Sequence, residues 1–586
     1  MSFTPSPEIT APPFDLTLPA AWDALIAVPE PTVLPSLGTP SVPMQVFRTL
    51  CDGHPVGWEV RVHGAGPVFG GGEVFDTVDL RGTARVLLNQ ELHSSRVQGT
   101  YLSVPFFFSP AGWGLSLTTG APVYADLRSP GVARFLCLDA TLDAVAYGGT
   151  PTDILREHTA RTGRMAGWPE WAHGPWMSRA SYLSEAEIHG VLDDQGGAQC
   201  PVAVVHVDAW LAGNVFREFT CSWEIDRGRF PAGWTDRLRA RGVRVSLWLN
   251  PFVLRGSALA AHLAERDLLL RGPSGELAVT PDLDHRHLID FTNPEAVRWW
   301  GDQVRNLLAT ERPDALKLDF AEEVPLDARC HDGRPGWAIR NSYARDYQRA
   351  TASAIPEELR PFPFFCRSGT TGAQATPCHW VGDTRSSWDG LSEALRACLS
   401  LSLSGFALVS HDAGGFHTPG AGVIPRTLLD GGEACFTADV EPELFGRWGQ
   451  WAALSPVTRF HGLGFREPTA YPEPWRSAVI EALRLRERLR PHLVRAAAAA
   501  EETGLPVMRP LALIHPDATL PAEAWHCYYL GADLLVAPVL EPGGSATVWL
   551  PSDGWRPLLG APELGAGIHH VTLGAHQFPI YARPTT

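Results

Sequence analysis

The sequence predicts a multidomain fold: an N-terminal β-sandwich, a central (β/α)8 barrel and a small C-terminal β-domain. Three observations predict it. The 586 residues are too many for one hydrophobic core. Up to about residue 150, short strands alternate with glycine turns and almost no helical periodicity shows. From there apolar strands alternate with helix-like segments, and beyond about 509 the chain returns to strands. The boundaries expected from these changes are 1–165, 166–508 and 509–586.

Taken in order, the first forty residues are proline-rich and read as an extended arm or loose strands. VGWEVRVHG, GWGLSLTTG and GVARFLCLDA then supply the strand-and-turn pattern of a sandwich. The rhythm changes at TPTDILREHTARTG, a helix with a threonine cap and a proline just inside its start. Eight candidate strands follow, at 173–178, 202–208, 243–250, 315–320, 363–368, 379–383, 407–412 and 458–462. Most run into a helix-like stretch such as WTDRLRARG or PEAVRWWGDQVRNLLA, and eight such units argue for a barrel. A helix over 481–504 closes it, and CYYLGADLLVAPVLEPGGSATVWLPSDGW opens the last domain.

Bulk properties exclude several classes. A net charge of -16 without a basic stripe disfavours nucleic acid as a partner. Ten scattered cysteines with no CxxC pair fit reduced, mostly buried thiols rather than a disulfide frame or a zinc site. The opening MSFTPSPEITAPPFDL has neither a basic start nor an apolar core, so no signal peptide is expected. No apolar run approaches the roughly 20 residues of a membrane span, which leaves a cytoplasmic protein as the expectation. The 21 tryptophans, 25 phenylalanines and 10 tyrosines suit stacking on sugars or bases, although most such residues fill cores.

Barrel active sites lie at the C-terminal ends of the strands. Those ends carry Asp208, Trp248, Asn250, Asp319, Arg367, Asp383, His411, Asp412 and His461. In ALKLDFAEEVP, Lys317 and Asp319 are two apart on a strand and therefore share a face. Alone, that pair reads as an ion pair at a strand end; within a ring of polar strand ends it reads as a catalytic carboxylate. Carboxylates, an arginine, histidines and aromatics with no phosphate loop suit glycoside hydrolysis, which needs one ionised and one protonated carboxyl. Lys317 favours the ionised form of Asp319. Asp383, set among tryptophans in HWVGDTRSSWDG, is expected in apolar surroundings that keep it protonated. A metal-dependent barrel built on His206 and Asp208, His411 and Asp412, or His285 and His287 is the rival, but those spacings fit no common ligand set. Glu322 and Glu323 read as a solvated turn.

LKLDFAEEVP resembles the nucleophile segment of glycoside hydrolase family 31, in its α-xylosidase-like branch. HVDAW, SLWLNPF, CRSGTTGAQATPCHWVGD, LSGFALVSHDAGGF and LSPVTRFHG resemble its other strand-end segments, in the same order. VFGGGEVFD and VPFFFSPAGWG resemble its N-terminal sandwich and LGADLLVAPV its first C-terminal β-domain, so the likeness spans about 68 to 550. The resemblance implies Asp319 as nucleophile and Asp383 as acid/base, with retention of the α-anomer. It implies Asp208, Arg367, Asp412 and His461 as contacts to sugar hydroxyls, Lys317 in the same pocket and Trp248 as a stacking wall. Trp210, Trp380 and Glu91 complete the expected substrate contacts, and Glu322 is expected to orient the loop after the nucleophile.

The departures are three. Ala209-Trp210 replaces the family's cysteine-phenylalanine pair, which narrows the pocket against a hydroxymethyl group. Glu91 stands where the pattern has an aspartate. Shorter N- and C-terminal portions imply that a second, distal β-domain is missing. The expected activity is a retaining exo-α-glycosidase acting on α-xylosides or α-glucosides without cofactor or metal. A lyase or transglycosylase using the same carboxylates, or a non-catalytic sugar-binding relative, are the alternatives. Xylose and glucose differ by one CH2OH group, worth only about 1–3 kcal/mol in a pocket, and Ala209 and Trp210 do not decide between them. A carbohydrate is the expected partner, with homo-oligomerisation through an apolar face left open by the short tail.

Overall fold

A computed structural model of the chain describes residues 14–64, 66–91, 99–213, 218–417, 440–516 and 520–583. Its N-terminal part is a sandwich of a six-stranded and a five-stranded sheet. Val46, Trp58, Val60 and Phe135 of the first sheet meet Phe107, Trp113 and Leu115 of the second in one core. Trp58, Val60 and Val62 point inward at the two-residue period of a strand that buries one face. Of the proline-rich first forty residues, 1–13 lie outside the described residues, and from Phe14 on the stretch is more ordered than its composition suggests. Ile26–Glu30 pairs antiparallel with Met44–Cys51 as an edge strand. Ahead of it, Pro19–Asp23 forms a short helix whose Trp22 is buried and stacks on Tyr124 at 5.8 Å.

The helix Pro151–Thr162 carries the chain out of the sandwich. Thr150 and Asp153 cap its start reciprocally, each side chain taking up the other's backbone N–H. The barrel follows, with β1 (Trp176–Met177), β2 (Val204–Val207), β3 (Arg244–Leu249) and β4 (Ala315–Leu318). It continues with β5 (Phe364–Cys366), β6 (Cys378–Trp380), β7 (Leu408–Ser410) and β8 (Arg459–Phe460). All neighbours are parallel, in the order β8-β1-β2-β3-β4-β5-β6-β7. The ring is joined between β7 and β8 by a bridge from Asp412 to Arg459, with Ala413 N donating to Arg459 O at 3.0 Å. The last barrel helix, Trp475–Thr503, starts six residues ahead of the expected 481.

A C-terminal sheet of five strands runs from Met508–Pro510 to Phe578–Ala582, beside a separate two-stranded ribbon. It is bolted to the barrel: Arg447 donates to Leu573 O at 2.7 Å and Gln577 O at 2.9 Å, and Tyr528 Oη to Leu454 O at 2.8 Å. A hollow of about 670 Å³ lined by Trp171, Arg239, Arg244, Arg312 and Asp314 lies where strands begin, opposite the end at which barrel sites form. Among the described residues, no helix is long and apolar enough to cross a membrane.

Candidate active site

The strand period puts Lys317 and Asp319 on one face, and that face is the barrel interior. Lys317 Nζ lies 2.9 Å from Asp319 Oδ2 and 3.4 Å from Asp208 Oδ2, so one ammonium ties the ends of β4 and β2. Trp248, at the end of β3, donates its indole N–H to Asp319 Oδ2 at 2.8 Å. Arg367, after β5, brings Nε to 3.3 Å from Asp319 Oδ1. Burial by itself would raise the Asp319 pKa, but Lys317, Arg367 and the Trp248 hydrogen bond outweigh it and hold the carboxyl well below the usual range. Asp319 is therefore ionised.

After Asp319 the backbone turns sharply. Phe320 and Ala321 both take positive φ, 60° and 85°, a region that non-glycine residues enter at a cost. This turn keeps Asp319 at the strand end and swings Glu322 back underneath Arg367. Glu322 accepts from Arg367 Nε at 2.9 Å and from Nη2 at 3.0 Å, a two-pronged pair with no exposure to solvent. Glu323 is buried as well, accepting from Glu91 N at 2.8 Å and Arg340 Nη2 at 3.1 Å. The solvated turn expected from sequence is thus an inward-facing one, because the strained pair reverses the chain direction.

Arg367 is the hub. Its guanidinium packs over two aromatic rings, Tyr101 at 4.7 Å and Phe320 at 4.4 Å. Around its edge stand four carboxylates: Asp319, Glu322, Glu91 and Asp383, the last with Oδ2 at 3.6 Å from Nη1. Burial pushes Glu322 up to about 7 and Glu91 well above its usual range, against the pull of Arg367 on both. Four acids around one cation cannot all ionise freely in a dry site. Asp319 and Asp383 lie against the same small planar group, at 3.3 Å from Nε and 3.6 Å from Nη1, so both carboxyls reach one barrel mouth.

Asp383 departs from its expected surroundings. Its side chain is 19 % exposed and its neighbour is a guanidinium, not an apolar wall. Trp380, three residues earlier, faces into the barrel, stacked on Phe365 at 4.9 Å with Lys317 Nζ 5.1 Å from its ring. Trp380 is fully buried, as are Asp412 and His461. Trp210 is likewise 1 % exposed, its indole N–H spent on Trp248 O at 2.9 Å. Trp248 is nearly as buried and acts on Asp319 through its N–H rather than as an open stacking wall.

The remaining expected residues divide. Asp208 is paired with His206 as well as Lys317, and Ser181 Oγ accepts from Asp208 N at 3.1 Å and Ala209 N at 2.8 Å. His461 holds Ser178 Oγ at 3.0 Å through Nδ1, while its buried Nε2, 3.9 Å from Asp208 Oδ2, makes no hydrogen bond among the described residues. Asp412 is paired with Arg459 through Oδ1, and its buried Oδ2 has no partner among the described residues. Burial pushes Asp412 up to about 7 despite Arg459 and pushes His461 well below its usual range. His411 points the other way, stacked on Trp451 at 3.6 Å and bonded to Ser455 and Trp448. Asn250 accepts from Phe252 N within its own turn.

His285 and His287 engage the backbone oxygens of Glu218 and Ala278. No group of three metal-ligating side chains converges among the described residues. Sequence reasoning missed Tyr101, the burial of Glu322 and Arg459. Arg459 lies inside β8, 4.9 Å from the Trp380 ring, and the two-residue spacing to His461 was the signal that both face inward.

Residues 165–496 match the TIM-barrel domain of glycosyl hydrolases family 31, residues 504–586 its C-terminal domain and residues 38–126 its N-terminal galactose mutarotase-like domain. An alpha-xylosidase of Emericella nidulans is 29% identical over 504 residues, covering 83% of this chain and 60% of that protein. Alpha-glucosidase 2 of Bacillus thermoamyloliquefaciens is 28% identical over 549 residues, covering 88% and 66%. The chain thus spans 60% to 66% of the length of these relatives. Among solved structures, the cycloalternan-degrading enzyme from Trueperella pyogenes in complex with cycloalternan superposes with a TM-score of 0.82 at 23% identity, covering 96% of this chain and 82% of that one. That likeness is one of fold.

Proposed function

Since the chain belongs to glycoside hydrolase family 31, we propose that it is a retaining exo-α-glycosidase releasing terminal α-linked xylose or glucose. The observation that carries this is Arg367 holding Asp319 and Asp383 at one barrel mouth, with Asp319 ionised by Lys317, Trp248 and Arg367. Asp319 attacks the anomeric carbon and the C–O bond to the leaving group breaks. Asp383 gives its proton to the departing oxygen, then takes one from the water that cleaves the Asp319 ester. A glycoside lying over Asp383 takes that carboxyl out of water, which the protein side chains alone do not do.

The sugar's hydroxyls are held by Asp208, Lys317, Arg367, Asp412 and His461. Support comes from two buried atoms without a hydrogen-bond partner among the described residues, Asp412 Oδ2 and His461 Nε2, one an acceptor and one available to pair with a hydroxyl. Burial keeps His461 neutral, so the contact is a hydrogen bond and not a charge. The names of the relatives, one an alpha-xylosidase and one an alpha-glucosidase, support both sugars.

Rates on paired aryl α-xyloside and α-glucoside, with the first-formed anomer followed by proton NMR, test the reading. Turnover of at least one with the α-anomer appearing first is expected. A β-anomer as first product, or no turnover of either, overturns it.

A further inference from the structure

We propose that Tyr101, carried to the barrel mouth by the N-terminal sandwich, is a positioning residue for the carboxyl of Asp383. The inference rests on the reading of Asp383 as proton donor. Asp383 is thinly held for such a task. It follows β6 on a loop, its side chain is 19 % exposed, and its ion pair with Arg367 spans 3.6 Å. A proton donor must meet the leaving oxygen at hydrogen-bond distance, so something else has to fix it.

Both of its supports rest on one ring. Gly382, the residue before it, has φ of 58°, and a Cβ there would overlap the Tyr101 ring, at 2.5 Å from Cδ2 and 2.8 Å from Cζ. The chain approaches this closely because glycine alone has neither the Cβ nor the penalty for positive φ. The same ring also carries the Arg367 guanidinium, at 4.7 Å from its centroid. Tyr101 thereby sets the height of the Asp383 backbone and the position of its counter-ion together.

Tyr101 is itself fixed. Its N donates to Glu73 Oε2 at 2.9 Å, and its O accepts from Ser368 Oγ at 2.7 Å, beside Arg367. Leu102, next in the chain, bridges to Gly369. The ring is 2 % exposed, and burial with Glu91 and Asp383 nearby keeps its hydroxyl protonated. A tyrosine that merely filled the gap between domains would support folding and nothing more. A positioning tyrosine makes a narrower prediction: its loss harms those substrates that need a proton donor.

The test uses leaving groups. A phenyl glycoside needs protonation of the departing oxygen, whereas a dinitrophenyl glycoside leaves without it. With Tyr101→Leu, which removes the ring, and Gly382→Ala, which displaces it, kcat/KM on the phenyl glycoside should fall by about 30-fold or more, against about threefold or less on the dinitrophenyl glycoside. Tyr101→Phe keeps the ring and should not lose more on the phenyl than on the dinitrophenyl glycoside. Equal losses on the two substrates, or no loss, overturn the proposal. Asp383→Ala in the same series separates the levels. If it shows no leaving-group dependence, the reading of Asp383 falls and takes the proposal with it; if it does and Tyr101→Leu does not, only Tyr101 is wrong. Circular dichroism melts check folding, and should Tyr101→Leu not fold, Gly382→Ala carries the test.

Discussion

The two sides of the barrel mouth are built differently. On the Asp319 side, one carboxylate takes donors from three strand ends and its own turn: Lys317 at 2.9 Å, Trp248 at 2.8 Å, Arg367 at 3.3 Å and Phe320 N at 2.9 Å. On the Asp383 side, the carboxylate has one guanidinium at 3.6 Å and partial exposure to water. The first is a fixed charge, held by short hydrogen bonds within the barrel itself. The second is held from outside, through Gly382 and Tyr101. A nucleophile needs a permanent charge at a permanent place, while a group that gives and takes a proton must tolerate both states. The asymmetry matches that division of labour.

The sharpest way to break the comparison is to remove the fixed charge. Asp319→Ala should cut kcat by on the order of 10⁴-fold or more on every substrate, whatever its leaving group. Residual turnover above a hundredth of native, in purified enzyme on a dinitrophenyl glycoside, would deny Asp319 its place.

A smaller effect is expected beneath the hub. Glu322→Gln keeps the shape but replaces the two-pronged ionic pair with a single neutral acceptor, freeing Arg367 to swing toward Asp319 and Glu91. A fall in kcat of about 10–100-fold is expected from such misplacement, with KM changing less. Pre-steady-state rates on both leaving-group classes check it, and an unaltered kcat would show that Glu322 is packing only. Trp248→Phe comes next. It retains a ring and loses the 2.8 Å hydrogen bond to Asp319, a charge-assisted bond of about 1.5–3 kcal/mol, so roughly a tenfold to hundredfold loss in kcat/KM is expected. A change of less than threefold would mean that Lys317 and Arg367 suffice.

The fold was legible because the barrel strands are apolar runs ending in polar residues, and the two-residue period told that Lys317 and Asp319 share a face. The same rule, applied to 411 and 412, already separates them: His411 turns outward onto Trp451 and Asp412 inward to Arg459. Glu322 was illegible because nothing in AEEVP shows that Phe320 and Ala321 take positive φ and reverse the chain. Tyr101 was illegible for another reason. Its partners, Arg367 and Gly382, are more than 260 residues away, and contacts between domains leave no local pattern. The apolar setting inferred for Asp383 failed because its neighbouring tryptophan faces the core of the barrel, leaving the carboxyl beside Arg367.

The mildest prediction concerns the fold's response to pH. Asp412 is buried, and its pKa is pushed up to about 7 although Arg459 opposes the rise. In the unfolded chain it releases its proton near the ordinary 3.8. Between those values the folded state holds a proton that the unfolded state has lost. Stability therefore falls as pH rises through this window, the reverse of what Asp319 contributes, whose lowered pKa makes stability fall as pH drops. An amide in place of this carboxyl cannot titrate. Asp412→Asn should therefore show a melting temperature that declines less steeply between pH 4 and 7 than that of the native enzyme. The difference in slope is expected to be worth about 2 °C across the window by calorimetry. Glu322, also pushed up to about 7 by burial, contributes in the same direction, so Glu322→Gln with Asp412→Asn should flatten the profile further. Parallel profiles for the native enzyme and Asp412→Asn would show that Asp412 keeps its charge inside the barrel, held by Arg459 as tightly as Asp319 is by its three cationic and indole donors.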